Sequence, residues 1–372
     1  MDIRLEPKDA RDAYSTPIVQ QTAFWSGVKR RLGIRSRAFE YSVRNSDLYC
    51  GVGGYSRTNA DFIMFYQFVN REDYIAYLPY GPEVEPSEER QGVFLEELSE
   101  QLRPHLGPHC IGIRYDLNWR SHWCREEDFD SEGLWRGAPK REFQEMQLNF
   151  STRNWNLRKS NTNVLPADTI LLDLNEPEEV ILGRMKPKTR YNIRLALKKG
   201  IEVRDMGAKA LPLWYGLYRE TALRNGLHLS PIRCFQSVVT AKLDNVDPSV
   251  TVKLLVSYAG ELPLAAMFLV LSAGRATYLY GASSSLHREL MPSYALQWQA
   301  IRMAKACRCS EYDLFGVAPN LAPSHPMYGL LRFKQGFGGS VFHQLGCWDY
   351  PLQPEKYAAF SALELSSPGY YA

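Results

Sequence analysis

The stretch LPLAAMFLVLSAGRATYLYGASS, Leu262 to Ser284, reads as two strands joined in a β-hairpin. A helix is predicted just beyond it, near Pro292 to Cys307, and then the strand SEYDLFGV, Ser310 to Val317. The same order occurs earlier in the chain. DFIMFYQF (Asp61 to Phe68) and DYIAYLPYGP (Asp73 to Pro82) form a second predicted hairpin, an acidic helix follows near Ser87 to Leu102, and the strand IGIRYDL runs from Ile111 to Leu117. Aligning the two copies sets Tyr80 and Gly81 against Tyr280 and Gly281, and Tyr115 and Asp116 against Tyr312 and Asp313. Two similar α/β (α+β) domains are the simplest explanation. A chain of 372 residues exceeds the usual extent of one hydrophobic core, which agrees with that count.

Apolar residues make up 45% of the chain, enough to build both cores, and the formal charge of +3 shows that it is no general polycation. Any contact with a polyanion must therefore be local. One segment qualifies: MKPKTRYNIRLALKKG, Met185 to Gly200. Between Glu179 and Glu202 lie Arg184, Lys186, Lys188, Arg190, Arg194, Lys198 and Lys199 with no acid among them. Pro187 suits a helix start and Gly200 a helix end. Arg190, Arg194 and Lys198 recur at helical spacing, while Ile193 and Leu197 supply an apolar face. The alternatives are a solvated helix face and a polyanion site. A second helix is expected over ALPLWYGLYRETALRNG, ending at Gly226, and a domain boundary in the polar stretch Ser151 to Asn163, just before the strand TILLDL.

The order hairpin, helix, strand is that of N-acyltransferases of the acetyl-CoA-dependent type. TILLDL, MKPKTRYNIRLALKKGIEV, LYRETALRNG, TYLYGAS, YALQWQAIRMAKACRCSEYDLFGV and YGLLRFKQGFGG, ordered from Thr169 to Gly339, resemble the Fem family of peptidoglycan bridge-forming aminoacyltransferases. QTAFWSGVKRRLG near the start and QPEKYAAF near the end are similar to the family's first and last segments. The resemblance implies two tandem GNAT-like domains, residues 1–165 plus 346–372 for the first and 166–345 for the second. The interval from Pro231 to Val250 is too short for the long coiled-coil arm that some members carry. It implies transfer of an amino acid from aminoacyl-tRNA to the side-chain amine of residue 3 of the peptidoglycan stem peptide. The acceptor would be UDP-MurNAc-pentapeptide or lipid II, with no metal, no organic cofactor, no DNA partner and at most peripheral membrane contact.

Site residues follow from the same resemblance. Acyl transfer passes through a tetrahedral oxyanion, which a fixed cation stabilises; the family's Phe-Lys pair is here Phe333 and Lys334. Asp116 matches an acidic residue that orients or deprotonates the acceptor amine, with a substrate-assisted proton route as the alternative; a strand-end aspartate in a turn is the structural reading. Lys29 and Tyr280 match precursor-binding positions. Lys186, Lys188, Arg190, Arg194 and Lys198 would hold tRNA. Two departures stand out: Ser230 to Cys234 lacks the family's arginine and tyrosine at the matched places, leaving Arg233 as the neighbouring charge, and an acidic position late in the family is Cys347 here.

Rival chemistries have less support. FKQGFG, Phe333 to Gly338, has the spacing of a pyrophosphate loop but begins with Phe, and it reads as following a strand instead of preceding the central helix; the loop before Pro292 has no glycine cradle. An acyl-CoA-dependent N-acyltransferase is the first alternative, and a catalytically inactive homologue that binds RNA or cell-wall precursor the second. The cysteines contain no C-x-x-C pair and the histidines form no ligand set, so buried thiols are expected and a metal site is not. The N-terminus MDIRLEPKDARDAY has no apolar signal region, which suggests a cytoplasmic protein.

Overall fold

A computed structural model describes residues 1–122, 150, 152–154, 156–318 and 325–366. The chain divides into two compact units, one of residues 1–14, 20–167 and 343–372, the other of 15–19 and 168–342. The division falls at 167/168 and 342/343, where the sequence reading placed it at 165/166 and 345/346. That reading also left residues 15–19 in the first domain. They belong to the second, where the Ser272 hydroxyl donates to the Thr16 carbonyl at 2.6 Å.

In the first unit, β1 (Ile3–Lys8), β2 (Ser36–Arg44), β3 (Arg57–Phe68), β4 (Tyr74–Leu78) and β5 (Cys110–Arg120) lie side by side in chain order. The two-residue β6 (Arg158–Lys159) and β5 both pair with the last strand, β13 (Ser340–Pro351). Neighbours are antiparallel except β4 and β5, which are parallel because the helix Glu88–Leu102 carries the chain back between them. That helix buries Phe94, Leu95, Leu98 and Leu102, a helical stripe that packs against Phe39, Tyr41, Phe62 and Tyr115 of the sheet.

The second unit repeats this plan. β10 (Leu262–Ser272) and β11 (Arg275–Ser283) form the antiparallel hairpin, the helix Pro292–Ala306 crosses over, and β12 (Glu311–Asp313) returns parallel to β11. β7 (Asp168–Asp173) lies antiparallel beside β12, and β9 (Thr251–Ala259) and β8 (Ile201–Asp205) extend the other edge. The two units are thus tandem GNAT-like domains, and no coiled-coil arm is present among the described residues. Two details differ from the expected repeat. β4 stops at Leu78, so Tyr80 sits in the following turn with φ of 49°, whereas its counterpart Tyr280 lies inside β11. β12 keeps only three residues of SEYDLFGV because Phe315 turns out of the sheet at φ of 59°. No helix of the described residues is long and apolar enough to cross a membrane.

The C-terminal helix Pro354–Ser366 is held to the first sheet by Arg114, which is 1% exposed. Its guanidinium donates to both oxygens of Asp349 at 2.7 and 2.6 Å and to both of Glu364 at 2.7 and 2.8 Å, while the Tyr357 hydroxyl donates to Asp349 at 2.8 Å. Truncating one member of such a set leaves buried carboxylates unmatched. Arg114→Ala should therefore destabilise the first unit by about 3–5 kcal/mol, read as a lower urea midpoint with faster amide exchange over Pro354–Ser366. An unchanged midpoint would show that the pairing contributes nothing.

Candidate functional site

Lys334 lies near the end of the helix Tyr328–Gln335 and is 4% exposed. FKQGFG is therefore a helix end and not, as its sequence suggested, a loop after a strand. The Lys334 ammonium donates to the Phe315 carbonyl at 3.1 Å and to the Gly316 carbonyl at 2.7 Å. Both carbonyls belong to the turn that ends β12, and the Phe315 N–H is anchored to Asp313 Oδ1 at 2.8 Å. Asp313 Oδ1 also accepts from the Thr169 hydroxyl of β7. Burial pushes the Lys334 pKa down to about 7, with the Asp313 carboxylate pulling the other way. The Tyr278 ring lies 5.4 Å from Nζ. Phe333, half-buried, packs edge-on against Tyr294 and Phe337 at 5.0 and 5.2 Å.

The turn after this helix is pressed against the start of the basic segment. The Lys186 N–H donates to the Gly336 carbonyl at 2.9 Å, and a Cβ on Gly336 would collide with the Thr189 hydroxyl. Gly338, at φ of 81°, comes so close that a Cβ would stand 2.5 Å from the Arg184 carbonyl. Two features that are far apart in sequence, the basic run and the lysine, are thereby joined backbone to backbone.

The basic helix spans Pro187–Lys198 and buries Thr189, Asn192, Ile193 and Ala196, the last within a cluster that includes Leu264 and Ala295. Lys186, Lys188, Arg194 and Lys198 are exposed as expected. Arg190 is not displayed in the same way: it is half-buried, and its guanidinium donates to the Gly183 carbonyl at 3.1 Å and to the Met185 carbonyl, satisfying the end of the helix Glu178–Arg184. Leu197, assigned to the apolar face, is 54% exposed, because the inward face is centred one residue earlier.

Asp116, in the first unit, lies within β5 and not at a strand end, and it is fully buried. Its Oδ2 accepts from the Tyr77 hydroxyl at 2.8 Å and the Leu165 N–H at 3.0 Å, while Oδ1 makes no hydrogen bond among the described residues. Burial raises its pKa to about 6; the Tyr77 and Leu165 bonds and the charge of Lys159 oppose the rise. Cys347 stands opposite it across the β5–β13 ladder. Lys159 donates to the Leu345 and Cys347 carbonyls, each at 3.0 Å. With no solvent-facing surface, Asp116 does not display the carboxylate expected to meet an amine directly.

The other expected residues are scattered over both units. Lys29, in the last turn of the helix Ala23–Arg31, lies 5.4 Å from the Trp25 ring in the first unit. Tyr280 and Arg233 belong to the second. Tyr280 sits in an aromatic group with Phe235 at 5.2 Å, Phe268 at 5.9 Å and Trp214 at 6.4 Å, which fits a core tyrosine as well as a ligand contact. Arg233 is exposed at the start of the helix Ile232–Leu243. Sequence reasoning missed Asp313, Thr169, Tyr77 and Lys159 as members of these clusters. The repeat carried a signal for Asp313, aligned with Asp116; nothing in the spacing of Lys159 pointed to it.

The chain matches the FemAB family over residues 18–247 and 249–365. Lipid II:glycine glycyltransferase of Staphylococcus epidermidis is 20% identical over 268 residues, which cover 57% of this chain and 64% of that protein. Aminoacyltransferase FemA of Staphylococcus aureus is 28% identical over 107 residues, 29% of this chain and 26% of the relative. The chain thus aligns with less than two-thirds of the length of either relative. The crystal structure of FemX shares the fold, with a TM-score of 0.69 at 15% identity over 95% of this chain and 96% of its own. Since the family match runs through both units and takes in Lys334, Asp116 and the basic helix, this chain belongs to the FemAB family.

Proposed function

We propose that the chain transfers an amino acid from aminoacyl-tRNA to the side-chain amine of residue 3 of the peptidoglycan stem peptide, in the cytoplasm and without a metal or organic cofactor. The observation that carries this reading is the buried Lys334 ammonium, two residues from the glycine that abuts the basic helix. In the reaction the amine nitrogen attacks the ester carbonyl and an amide bond forms. The ester C–O bond breaks, the amine gives up a proton, and the tRNA leaves with its ribose hydroxyl restored. An ammonium has three N–H donors. The Phe315 and Gly316 carbonyls take two, and the third is the one assigned to the developing oxyanion. Lys186, Lys188, Arg194 and Lys198 supply positive charge for RNA phosphates beside it. The names of the relatives support both halves of the reaction: one is a lipid II:glycine glycyltransferase, which supports a lipid II-like acceptor, and another an aminoacyltransferase. Asp116, buried and bonded within its own unit, is assigned a positioning role.

Incubation with a pool of charged tRNAs, UDP-MurNAc-pentapeptide and lipid II, followed by mass analysis, should give an acceptor heavier by one amino acid. Acylation by acetyl-CoA with no tRNA-dependent product would instead favour the acyl-CoA alternative. Lys334→Met should lower turnover by about 100-fold or more while the protein stays folded; undiminished turnover removes Lys334 from the chemistry. Arg194→Glu together with Lys198→Glu should raise the KM for charged tRNA about tenfold or more and change kcat less, and an unchanged KM would return the helix to a solvated face.

The lowered pKa of Lys334 carries its own signature. Because the folded chain loses this proton near pH 7 and the unfolded chain near 10.5, the folded state holds fewer protons in between, so the group makes wild-type stability rise with pH across that window. Lys334→Met should lack that rise, and its stability relative to wild type should fall from pH 7 to pH 10 in thermal melts. Parallel pH profiles would show that the lysine is not desolvated as described.

A further inference from the structure

On the basic helix, one exposed side chain is aromatic. Tyr191 is 62% exposed and makes no hydrogen bond or ring contact among the described residues. At about 100° per residue, the buried Thr189, Asn192, Ile193 and Ala196 define the inward face, and Tyr191, Arg194 and Lys198 fall on the opposite side. Lys188 flanks this stripe on one side and Leu197 on the other. The outermost line of the helix is therefore an aromatic ring followed by two cations, with Arg190 withdrawn to hold the Gly183 and Met185 carbonyls.

Each part of that arrangement has a distinct affinity. Lysine and arginine attract phosphates without regard to sequence, and their effect weakens with salt. An exposed ring offers a flat apolar face, which the bases of a duplex cannot use because they are already stacked on one another, but which an unpaired base can. A membrane surface would call for apolar side chains at the centre of the stripe, and the single leucine here lies on its flank.

We infer that Tyr191 is a stacking platform for an unpaired nucleotide of an RNA whose backbone is held by Lys188, Arg194 and Lys198. The inference rests on the aminoacyl-tRNA reading and deepens it: the RNA is recognised at a junction of duplex and single strand, with the unpaired base on the ring and phosphates on the cations. The start of this helix abuts the turn after Lys334, so a strand held there would lie beside the buried lysine.

The test is a thermodynamic cycle between protein and RNA. Two RNA hairpins with the same duplex stem, one ending in four unpaired 3′ nucleotides and one blunt, are titrated by fluorescence anisotropy against wild type, Tyr191→Phe and Tyr191→Ala over a series of salt concentrations. Wild type should prefer the overhang about fivefold to a hundredfold, the range expected for one stacked base. Tyr191→Phe should keep that preference and Tyr191→Ala should lose it. Neither change should alter the salt slope, which Arg194→Glu should reduce. If wild type binds both RNAs equally and Tyr191→Ala matches it, the stacking inference is overturned while RNA binding stands. If wild type binds neither RNA at low salt, the aminoacyl-tRNA reading fails together with it. Binding of phosphatidylglycerol vesicles that depends on Tyr191, without an overhang preference, would reassign the stripe to a membrane surface.

Discussion

Holding a lysine ammonium out of water is the constraint around which the second unit is arranged. Desolvation of a cation is costly unless donors are matched and opposite charge is close. Lys334 meets these conditions in part, with two of its three N–H donors matched, and it does so by local means. β12 ends after three residues, Phe315 adopts a left-handed backbone conformation, and the Phe315 and Gly316 carbonyls are thereby turned toward Nζ. Asp313, the last residue of that strand, anchors the turn through the Phe315 N–H and is itself held by Thr169. The glycines that follow Lys334 let its helix end directly on Thr189 and the Arg184 carbonyl, where any larger residue would force the backbones apart. Short strand, strained turn and glycine-rich tail thus serve one position.

The first unit shows the same scaffold put to a different electrostatic use. In both copies a Tyr-Asp pair lies in the strand that follows the crossover helix, and in both the aspartate accepts from a hydroxyl of a neighbouring strand: Tyr77 for Asp116, Thr169 for Asp313. Around Asp116 the nearby cation is Lys159, brought from β6, which donates to the carbonyls of β13. A buried charge pairing of that unit lies elsewhere on the same strands, where Arg114 binds Asp349 and Glu364 and so fastens the C-terminal helix. The two units share the order of their elements and differ in the charged groups placed on them.

The degree to which each feature could be read in advance follows from how local its cause is. Both hairpins, both crossover helices and the Gly226 helix stop were legible because alternation, helical period and a left-handed glycine act within a few residues. Arg190 and Arg194 looked equivalent in the basic run and are not: four residues apart, they fall on different sides of the helix edge, and only the former meets the carbonyls of the preceding helix. Leu197 fits the apolar period of the run, yet the dry face centred on Ile193 and Ala196 leaves it just outside. Tyr80 and Tyr280 align in sequence but part company where β4 ends at Leu78.

By itself the sequence determined the α/β repeat, the family resemblance, the local charge of the Lys186 to Lys199 run and the residue types at Phe333 and Lys334, since these depend on composition and short-range period. Only the tertiary structure decided that Lys334 is buried and held by a turn almost twenty residues away, that Asp116 is sealed inside its sheet, that Arg190 is spent on backbone carbonyls and that Tyr191 stands exposed among cations. The reason is physical. A side chain's protonation and reach are set by the dielectric and the hydrogen-bond partners around it, and those are supplied by segments distant in sequence that meet only when the sheet and its helices pack.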